Sequence, residues 1–475
     1  MERITVRTLA AITGGTPRDG DDPHALVGPG VVLDSREASG GALFVALPGE
    51  RVDGHAFVAA AAKAGAGAAL VARPVDADLP QVVVDDSLAA FAALARSVVD
   101  AGRDRGMRVV GITGSSGKTS TKDLVSQVLA AFGATVAPPG SFNNEIGTPL
   151  TACRVDAGTR YLVSEMGSRG AGHIAALTAI TPPDIGAVLN VGHAHVGEFG
   201  SVEGIAAAKG ELVEALGRGG WAVLNADDPR VAAMAPRTRG HLAFFSVRGE
   251  PETGELRVWA SGVAADGNQR HSFTLHAAGT ASGVAPVSLR VLGEKSVDNA
   301  LAAAAIALAA GLPLDGVAAA LSEAGPLSRW RMELSTRADG LNVVNDAYNA
   351  NPDSMSAALH SLRGLRRPGG RLVAVLGDML ELGATAEQAH REVGALAASL
   401  GVDELVATGA FAAVLASGFA DAGGRSHHRG STDEIVRHLR ATLGPRDVVL
   451  VKASRGLKLE TVADALAADD EGARG

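Results

Sequence analysis

The sequence predicts an α/β protein of three domains: a small N-terminal α/β domain over residues 1–105, a central P-loop, ATPase-like domain with a mostly parallel sheet over 106–328, and a C-terminal α/β domain over 329–475. Two observations carry this prediction. Short apolar runs alternate with helix-period segments along nearly the whole chain, the pattern of parallel sheets covered by helices. The 475 residues also amount to about three domains at roughly 150 residues each. A third feature, a glycine-rich turn between a strand and a helix, marks the middle block as the place where phosphate binds.

In the first block the expected strands are Val31–Leu33, Leu43–Leu47, Ala68–Ala72 and Gln81–Asp85, with helices over His55–Lys63 and Ser87–Asp100. The polar, glycine-bearing segment Ala101–Gly106 reads as a linker. The second block should hold strands Arg108–Ile112, Tyr161–Ser164, Ile185–Asn190 and Trp221–Asn225. From Val247 to Ser288 apolar and polar residues alternate between glycines, which predicts appended antiparallel strands, and a long alanine helix after Asn299 closes the block. Strands Leu341–Asn345, Arg371–Leu376, Glu404–Ala407 and Val448–Val451 are expected in the third block, and the tail from Asp469 should fray.

Composition narrows the function. With 43 basic and 52 acidic residues the net charge is −9, which argues against a general nucleic-acid binder. The single cysteine, Cys153, excludes an intramolecular disulfide framework and fits a reducing, cytoplasmic setting. The start Met1-Glu2-Arg3-Ile4-Thr5 carries no apolar signal segment. No apolar run approaches the roughly 20 residues that span a bilayer, and the longest candidate, Ala300–Ala310, reads as a buried helix. Of the 43 basic residues only seven are lysines (63, 118, 122, 209, 295, 452 and 458). A chain that otherwise uses arginine keeps lysine where a compact ammonium or a reactive amine is needed.

The phosphate loop is Thr113-Gly114-Ser115-Ser116-Gly117-Lys118-Thr119-Ser120, followed by a helix that presents Leu124, Val125, Val128, Leu129 and Phe132 on one face. Backbone N–H groups of such a loop form a nest for phosphate oxygens. Lys118 would reach the β- and γ-phosphates of ATP, and the Thr119 hydroxyl would ligate Mg²⁺. The spacing departs from the strict pattern, because Ile112 stands where the first glycine is expected.

Ligands in open α/β sheets bind beyond the carboxyl ends of the strands. There the chain places Glu165, the loop with His195, and Asn225 followed by Asp227 and Asp228. A carboxylate, an imidazole and a phosphate loop at one edge suit a Mg·ATP site with an additional metal position. Each also has a plainer role: Glu165 as a helix cap, His195 as a satisfied loop histidine, the two aspartates as an ordinary turn. Lys209 lies in the middle of the apolar stripe formed by Ile205, Leu212 and Leu216, so it must snorkel, pair or do chemistry. Converted to a carbamate, its amine would become an anionic metal ligand.

Across nearly its whole length the chain resembles the Mur ligases, the ATP-dependent amide-bond-forming enzymes of peptidoglycan synthesis. Within them it is similar to the branch that adds D-alanyl-D-alanine. The resemblance rests on Asp34-Ser-Arg36, Gly41-Ala-Leu-Phe-Val-Ala-Leu-Pro-Gly49, the phosphate loop, Asn143-Asn-Glu-Ile-Gly-Thr-Pro149 and Ser164-Glu-Met-Gly167. It continues through His195, Ala208-Lys-Gly-Glu-Leu212, Leu224-Asn-Ala-Asp-Asp228, Asn299-Ala-Leu-Ala-Ala303 and Arg331-Met-Glu333. The third block adds Asn345-Asp-Ala-Tyr-Asn-Ala-Asn-Pro352, Leu376-Gly-Asp-Met379 and Val451-Lys-Ala-Ser-Arg455. The Asp-Asn-Pro-Arg motif of the diaminopimelate-adding relatives is absent, and Lys295 stands where relatives often have histidine.

The resemblance implies a Rossmann-like third domain and a ligase that joins D-Ala-D-Ala to UDP-N-acetylmuramoyl-tripeptide through an acyl phosphate. It implies that Thr113 to Ser120 hold ATP with Asn299, Arg331 and Asp346, Arg331 lying near the transferring phosphate. Thr119 and Glu165 would hold one Mg²⁺, and His195 with carbamylated Lys209 a second; Lys118, Glu165, His195, Lys209 and Arg331 would be the catalytic set. Substrate contacts would come from Ser35 and Arg36 at the UDP-sugar end, from Asn143, Asn144 and Thr148, and from Tyr348, Asn349, Asn351, Lys452, Ser454 and Arg455 facing the peptide. A monomer is the default expectation, and composition predicts neither nucleic-acid binding nor membrane insertion. Two other readings remain on residues alone. One is a folylpolyglutamate-synthase type of ligase, against which the Asp34-Ser-Arg36 segment speaks. The other is an ATP-gated regulatory subunit, which should have lost some of that catalytic set.

Overall fold

Valine- and isoleucine-rich runs that are buried on both faces build the centre of each sheet, as parallel strands require. The computed structural model describes residues 1–49, 52–192, 199–428 and 430–468. A five-stranded sheet runs in the order Thr16–Pro17, Gln81–Val83, Ala68–Val71, Leu43–Val45, Val31–Val32, and only its first pair is antiparallel. A two-stranded ribbon, Ile4–Thr5 with Leu26–Val27, lies beside it in the chain.

The central sheet has nine strands. From one edge they are Thr135–Val136, Tyr161–Glu165, Arg108–Thr113, Ile185–Val188, Trp221–Asn225, His241–Ser246 and Leu256–Ala265, all parallel. Arg270–Gly279 and Gly283–Leu292 complete it as antiparallel hairpin strands. The helix Lys295–Ala309 crosses this sheet, with Ala300, Ala302–Ala305 and Ala307 essentially inaccessible. Methyl-sized side chains let it approach both the sheet and the helix Lys118–Ala130, and all three share one apolar core. The third sheet has six strands: Glu333–Thr336, Asn342–Asn345, Val448–Lys452, Leu372–Leu376, Glu404–Ala407 and Ser426–His428. All are parallel except the first.

The fold class is the expected α/β one, with several local corrections. The helix predicted over Ser87–Asp100 runs to Asp104 and covers most of the expected linker, because Val99 and Gly102 are still on its buried face. The alanine helix begins at Lys295, so Asn299 lies inside it, and the block is closed by a further helix, Leu314–Glu323. The helix predicted from His55 starts as a 3₁₀ turn, Gly54–Phe57, before Val58–Ala64. The region expected to hold antiparallel strands from Val247 does so only from Leu256, and that strand first pairs parallel to His241–Ser246.

Beyond Glu323 the chain crosses to the third sheet along the helix Lys118–Ala130. Gln127 donates to Gly325 O and accepts from Gly325 N, both at 3.0 Å. Asp123 Oδ2 accepts from Ser328 N at 3.1 Å, while its other oxygen pairs with buried Lys122. The crossover is thereby pinned to the phosphate-loop helix itself.

Candidate active site

The loop Gly114–Gly117 leaves the carboxyl end of Arg108–Thr113 and enters the helix at Lys118. Gly117 has φ +80°, and a Cβ there would lie 2.7 Å from Asn299 Oδ1, so both backbone shape and the approach of Asn299 demand glycine. Asn299 Oδ1 accepts from Thr121 Oγ1 at 3.1 Å, which ties the alanine helix to the phosphate-loop helix. Asn190, two residues beyond Ile185–Val188, accepts from Ser116 N at 2.9 Å and donates to Ser116 O at 3.2 Å. Ser115 Oγ accepts from Gly192 N at 2.9 Å, and Thr113 Oγ1 donates to Met166 O at 2.9 Å. Lys118 curls over the loop and donates to Gly114 O at 2.7 Å. Burial lowers its pKa, Glu165 opposes that and Arg331 adds to it. Ser120, two residues further along the helix, also lines the cleft.

Glu165 ends its strand almost wholly buried. Its Oε1 accepts from Asn143 Nδ2 at 2.7 Å, Ser141 Oγ at 2.8 Å and Thr119 Oγ1 at 3.3 Å, whereas Oε2 is buried with no partner among the described residues. A buried carboxylate oxygen left bare in this way is costly unless a cation or donor meets it. Thr119 and Glu165 thus present hard oxygen donors to one point, the set that Mg²⁺ prefers. The described residues offer Lys209 Nζ neither hydrogen bond nor ion pair, although the side chain is buried on the helix Val202–Glu214. Burial, and secondarily the charge of Lys118, push its pKa well down. His195 lies outside the described residues.

Arg331 reaches this group from the third block. Its Nη2 donates to Thr119 Oγ1 at 3.2 Å, its guanidinium lies 4.1 Å over the Tyr348 ring, and its Nε is buried with no partner among the described residues. Trp330 and Met332 on either side both have positive φ, 61° and 49°, so the backbone is bent to aim the side chain between them. Asp346 accepts from Met332 N at 3.1 Å and from buried Lys452 Nζ at 2.6 Å, and Lys452 also donates to Asn349 O at 2.8 Å. Loop, alanine helix and third sheet enclose a cleft of about 230 Å³ lined by Ser116, Gly117, Asn225, Asn299, Arg331 and Asp346, among others.

The other anticipated residues are dispersed. Ser35 is buried in the turn Ser35–Glu37, and Arg36 is exposed and folded onto Asp34, whose carboxyl its hydrogen bonds lower to about 2. Asn144 accepts from Gly147 N at 2.9 Å, and Thr148 Oγ1 is buried with no partner among the described residues. Asn351 caps the helix Pro352–Gly364, and Asn349 accepts from Ala350 N at 2.9 Å. Ser454 Oγ accepts from Leu380 N at 3.0 Å, and Arg455 stacks 4.2 Å over Trp330. Asp227 and Asp228 take the plainer role. Asp227 holds Ser246 Oγ and Val247 N at 2.7 Å, and Asp228 caps Pro229–Ala232 while accepting from Val191 N at 2.8 Å. Sequence reasoning overlooked Ser141 and Asn190. A serine two residues before Asn143, and an asparagine just past a strand's carboxyl end, were the available signals.

A phosphate loop, a buried carboxylate with one bare oxygen, and an arginine delivered by a separate sheet define a P-loop enzyme that handles a nucleoside triphosphate in an inter-sheet cleft. Family models agree in detail. The Mur ligase middle domain matches residues 112–307, the glutamate ligase domain of Mur ligases matches 330–455, and the catalytic domain of the Mur ligase family matches 29–101. The chain belongs to the Mur ligase family. It is 46% identical to the UDP-N-acetylmuramoyl-tripeptide–D-alanyl-D-alanine ligase of Mycobacterium tuberculosis (strain H37Rv), over 99% of both chains. Its identity to the enzyme of the same name from Escherichia coli (strain K12) is 35%, over 98% of this chain and 99% of that one. Among solved structures, MurF from Acinetobacter baumannii superposes with a TM-score of 0.87 at 32% identity, covering 98% of this chain and 99% of that one. MurF from Thermotoga maritima in complex with ADP gives 0.77 at 29% identity, over 92% and 97%.

Proposed function

We propose that the protein is an ATP-dependent amide ligase of peptidoglycan precursor synthesis. It joins D-alanyl-D-alanine to UDP-N-acetylmuramoyl-tripeptide and releases ADP and phosphate. The observation that carries this is the convergence of the loop, Glu165 and Arg331 on one cleft, in a chain similar end to end to relatives bearing that name. A free carboxylate is a poor acyl donor. Transfer of the γ-phosphoryl group onto it gives an acyl phosphate, the dipeptide amine attacks the acyl carbon, and phosphate leaves from the tetrahedral intermediate. The protein's task is positioning and charge neutralisation. The loop N–H groups and Lys118 hold the triphosphate, and Arg331 supplies a donor at the transferring phosphoryl group once the third sheet is in place. Asn299 and Asp346 bound the nucleotide from the far side.

Thr119 and Glu165 suit one Mg²⁺ by donor chemistry. Lys209 as a carbamate, with His195, would hold a second, a reading supported by a buried amine that nothing described engages. Bound Mg²⁺ neutralises repulsion between the triphosphate and the incoming carboxylate. Residues 1–105, with Ser35 and Arg36, take the UDP-sugar end. Residues 106–328 bind ATP, and Asn143, Asn144 and Thr148 border the acceptor. Residues 329–475 close the cleft and present Tyr348, Asn349, Asn351, Lys452, Ser454 and Arg455 toward the dipeptide. No helix among the described residues is long and apolar enough to cross a membrane, and we place the enzyme in the cytoplasm as a monomer.

The test is phosphate release from Mg·ATP with UDP-N-acetylmuramoyl-tripeptide, with and without D-Ala-D-Ala. Release that needs both, with a product heavier by the dipeptide, supports the assignment. Release only with an earlier precursor and a free amino acid would move the chain to another step, and no release with any pair would overturn the ligase reading.

A further inference from the structure

We propose that Glu404, His427 and His438 form a separate metal site, of the class that takes Zn²⁺, on the third sheet and away from the metal positions of the ATP cleft. Glu404 opens the strand Glu404–Ala407, His427 lies in the edge strand Ser426–His428, and His438 is on the helix Thr432–Thr442 that follows it. One ligand atom from each lies within 4.8 Å of the other two. Glu404 Oε1 is 2.5 Å from His438 Nε2 and 3.7 Å from His427 Nε2, and the two imidazole rings are 4.8 Å apart, tilted by 56°.

The carboxylate is oriented for the role. Glu404 is buried, and its second oxygen is taken by Arg371 Nη1 at 3.3 Å, which turns Oε1 toward the imidazoles. Arg371 is in turn neutralised by Asp447, whose Oδ2 lies 2.7 Å from Nη2. The two carboxylates of Glu404 and Asp447 outnumber the single Arg371 guanidinium, which leaves one negative charge to receive a cation. A carboxylate at second-ligand distance from a guanidinium is the outer-sphere arrangement that fixes metal ligands.

Two imidazole nitrogens and one carboxylate oxygen are the donor set of a three-ligand zinc site with a fourth position for water. Mg²⁺ prefers oxygen throughout and is disfavoured here. Small movements would bring the three atoms from their present spacing to the roughly 2.0–2.2 Å bonds of such a site. The location is separate from catalysis. Glu404 begins its strand, whereas Asp346 and Lys452 sit at the opposite, carboxyl ends of parallel strands in the same sheet. A bound ion would clamp the edge strand and the helix Thr432–Thr442 onto the sheet, so its role is to hold the third domain together rather than to take part in ligation.

The experiment uses the full chain, free of any affinity tag and dialysed against chelator, titrated with Co²⁺ and then Zn²⁺. Visible absorption of four-coordinate Co²⁺, saturating at one ion per chain and displaced by Zn²⁺ but not by Mg²⁺, is expected. His438→Ala and His427→Ala should each weaken Zn²⁺ binding by about 100-fold or more. His427 is partly exposed, so its replacement keeps the fold and serves if His438→Ala fails to fold. Glu165→Gln should leave the Co²⁺ spectrum as it is, and His427→Ala should ligate at the parent rate. Absence of the spectrum, equal Zn²⁺ affinity in the histidine variants, or loss of the signal in Glu165→Gln would each overturn the assignment.

Discussion

Arg331→Ala should separate catalysis from stability. In the folded chain the guanidinium makes one hydrogen bond to Thr119 at 3.2 Å and lies over Tyr348 at 4.1 Å. These contribute about 1 kcal/mol and about 0.5–2 kcal/mol. Against them stands a buried Nε without a partner among the described residues, which costs about 1–3 kcal/mol, and a like charge that works against protonated Lys118. The terms nearly cancel, so truncation should move the unfolding free energy by no more than about 1 kcal/mol in either direction. In the proposed reaction the same Nε and Nη2 would gain acceptors at the transferring phosphoryl group. Losing such a preorganised donor costs about 2.7–4 kcal/mol, a 10²- to 10³-fold fall in kcat. Phosphate release at saturating ATP, UDP-N-acetylmuramoyl-tripeptide and D-Ala-D-Ala reads the first quantity, and urea unfolding of the apo chain reads the second. Arg331→Lys should recover less than about tenfold, because an ammonium neither forks nor stacks. A variant within tenfold of the parent kcat, or one that unfolds several kcal/mol more easily, would refute the reasoning.

Lys209→Ala should abolish ligation while nucleotide binding, followed by fluorescence of an ATP analogue, survives; added short carboxylic acids should restore part of the rate, and full activity without them would sink the carbamate. Asn190→Ala removes the three side-chain hydrogen bonds to Ser116, so KM for ATP should rise about tenfold, matching roughly 1–1.5 kcal/mol of lost loop order; an unchanged KM counts against a clamping role. Gln127→Ala frees the crossover at Gly325 and should speed amide exchange across residues 324–328 without altering the phosphate loop. Burial pushes the Cys153 thiol up to about 12. At pH 8 it stays protonated, so a thiol reagent should label the native chain only at the unfolding rate, and prompt labelling would contradict the burial. Because the unfolded thiol ionises first as pH rises, this group also subtracts from stability in the alkaline range below pH 12, and Cys153→Ser should soften that loss.

Much of the site is written in contiguous residues. The phosphate loop, Glu165 at a strand end and Lys209 on an apolar stripe are each local: a βα turn, a strand terminus and a helical period fix them before any long-range packing forms. Strand positions in all three blocks were legible for the same reason, since parallel strands buried on both faces read as unbroken apolar runs. Helix ends were not. The helix Ser87–Asp104 continues through a polar, glycine-bearing segment because Gly102 faces the core, a fact of packing rather than propensity.

What tertiary structure alone decided is which distant groups meet. Arg331 and Thr119 are 212 residues apart, Ser141 and Asn143 converge on Glu165 from a loop, and Glu404, His427 and His438 gather from a strand start, an edge strand and a helix. Strand order and sheet-to-sheet docking set those distances. They are determined by the burial of whole faces, an energy spread over dozens of residues, and no local stretch of sequence carries it.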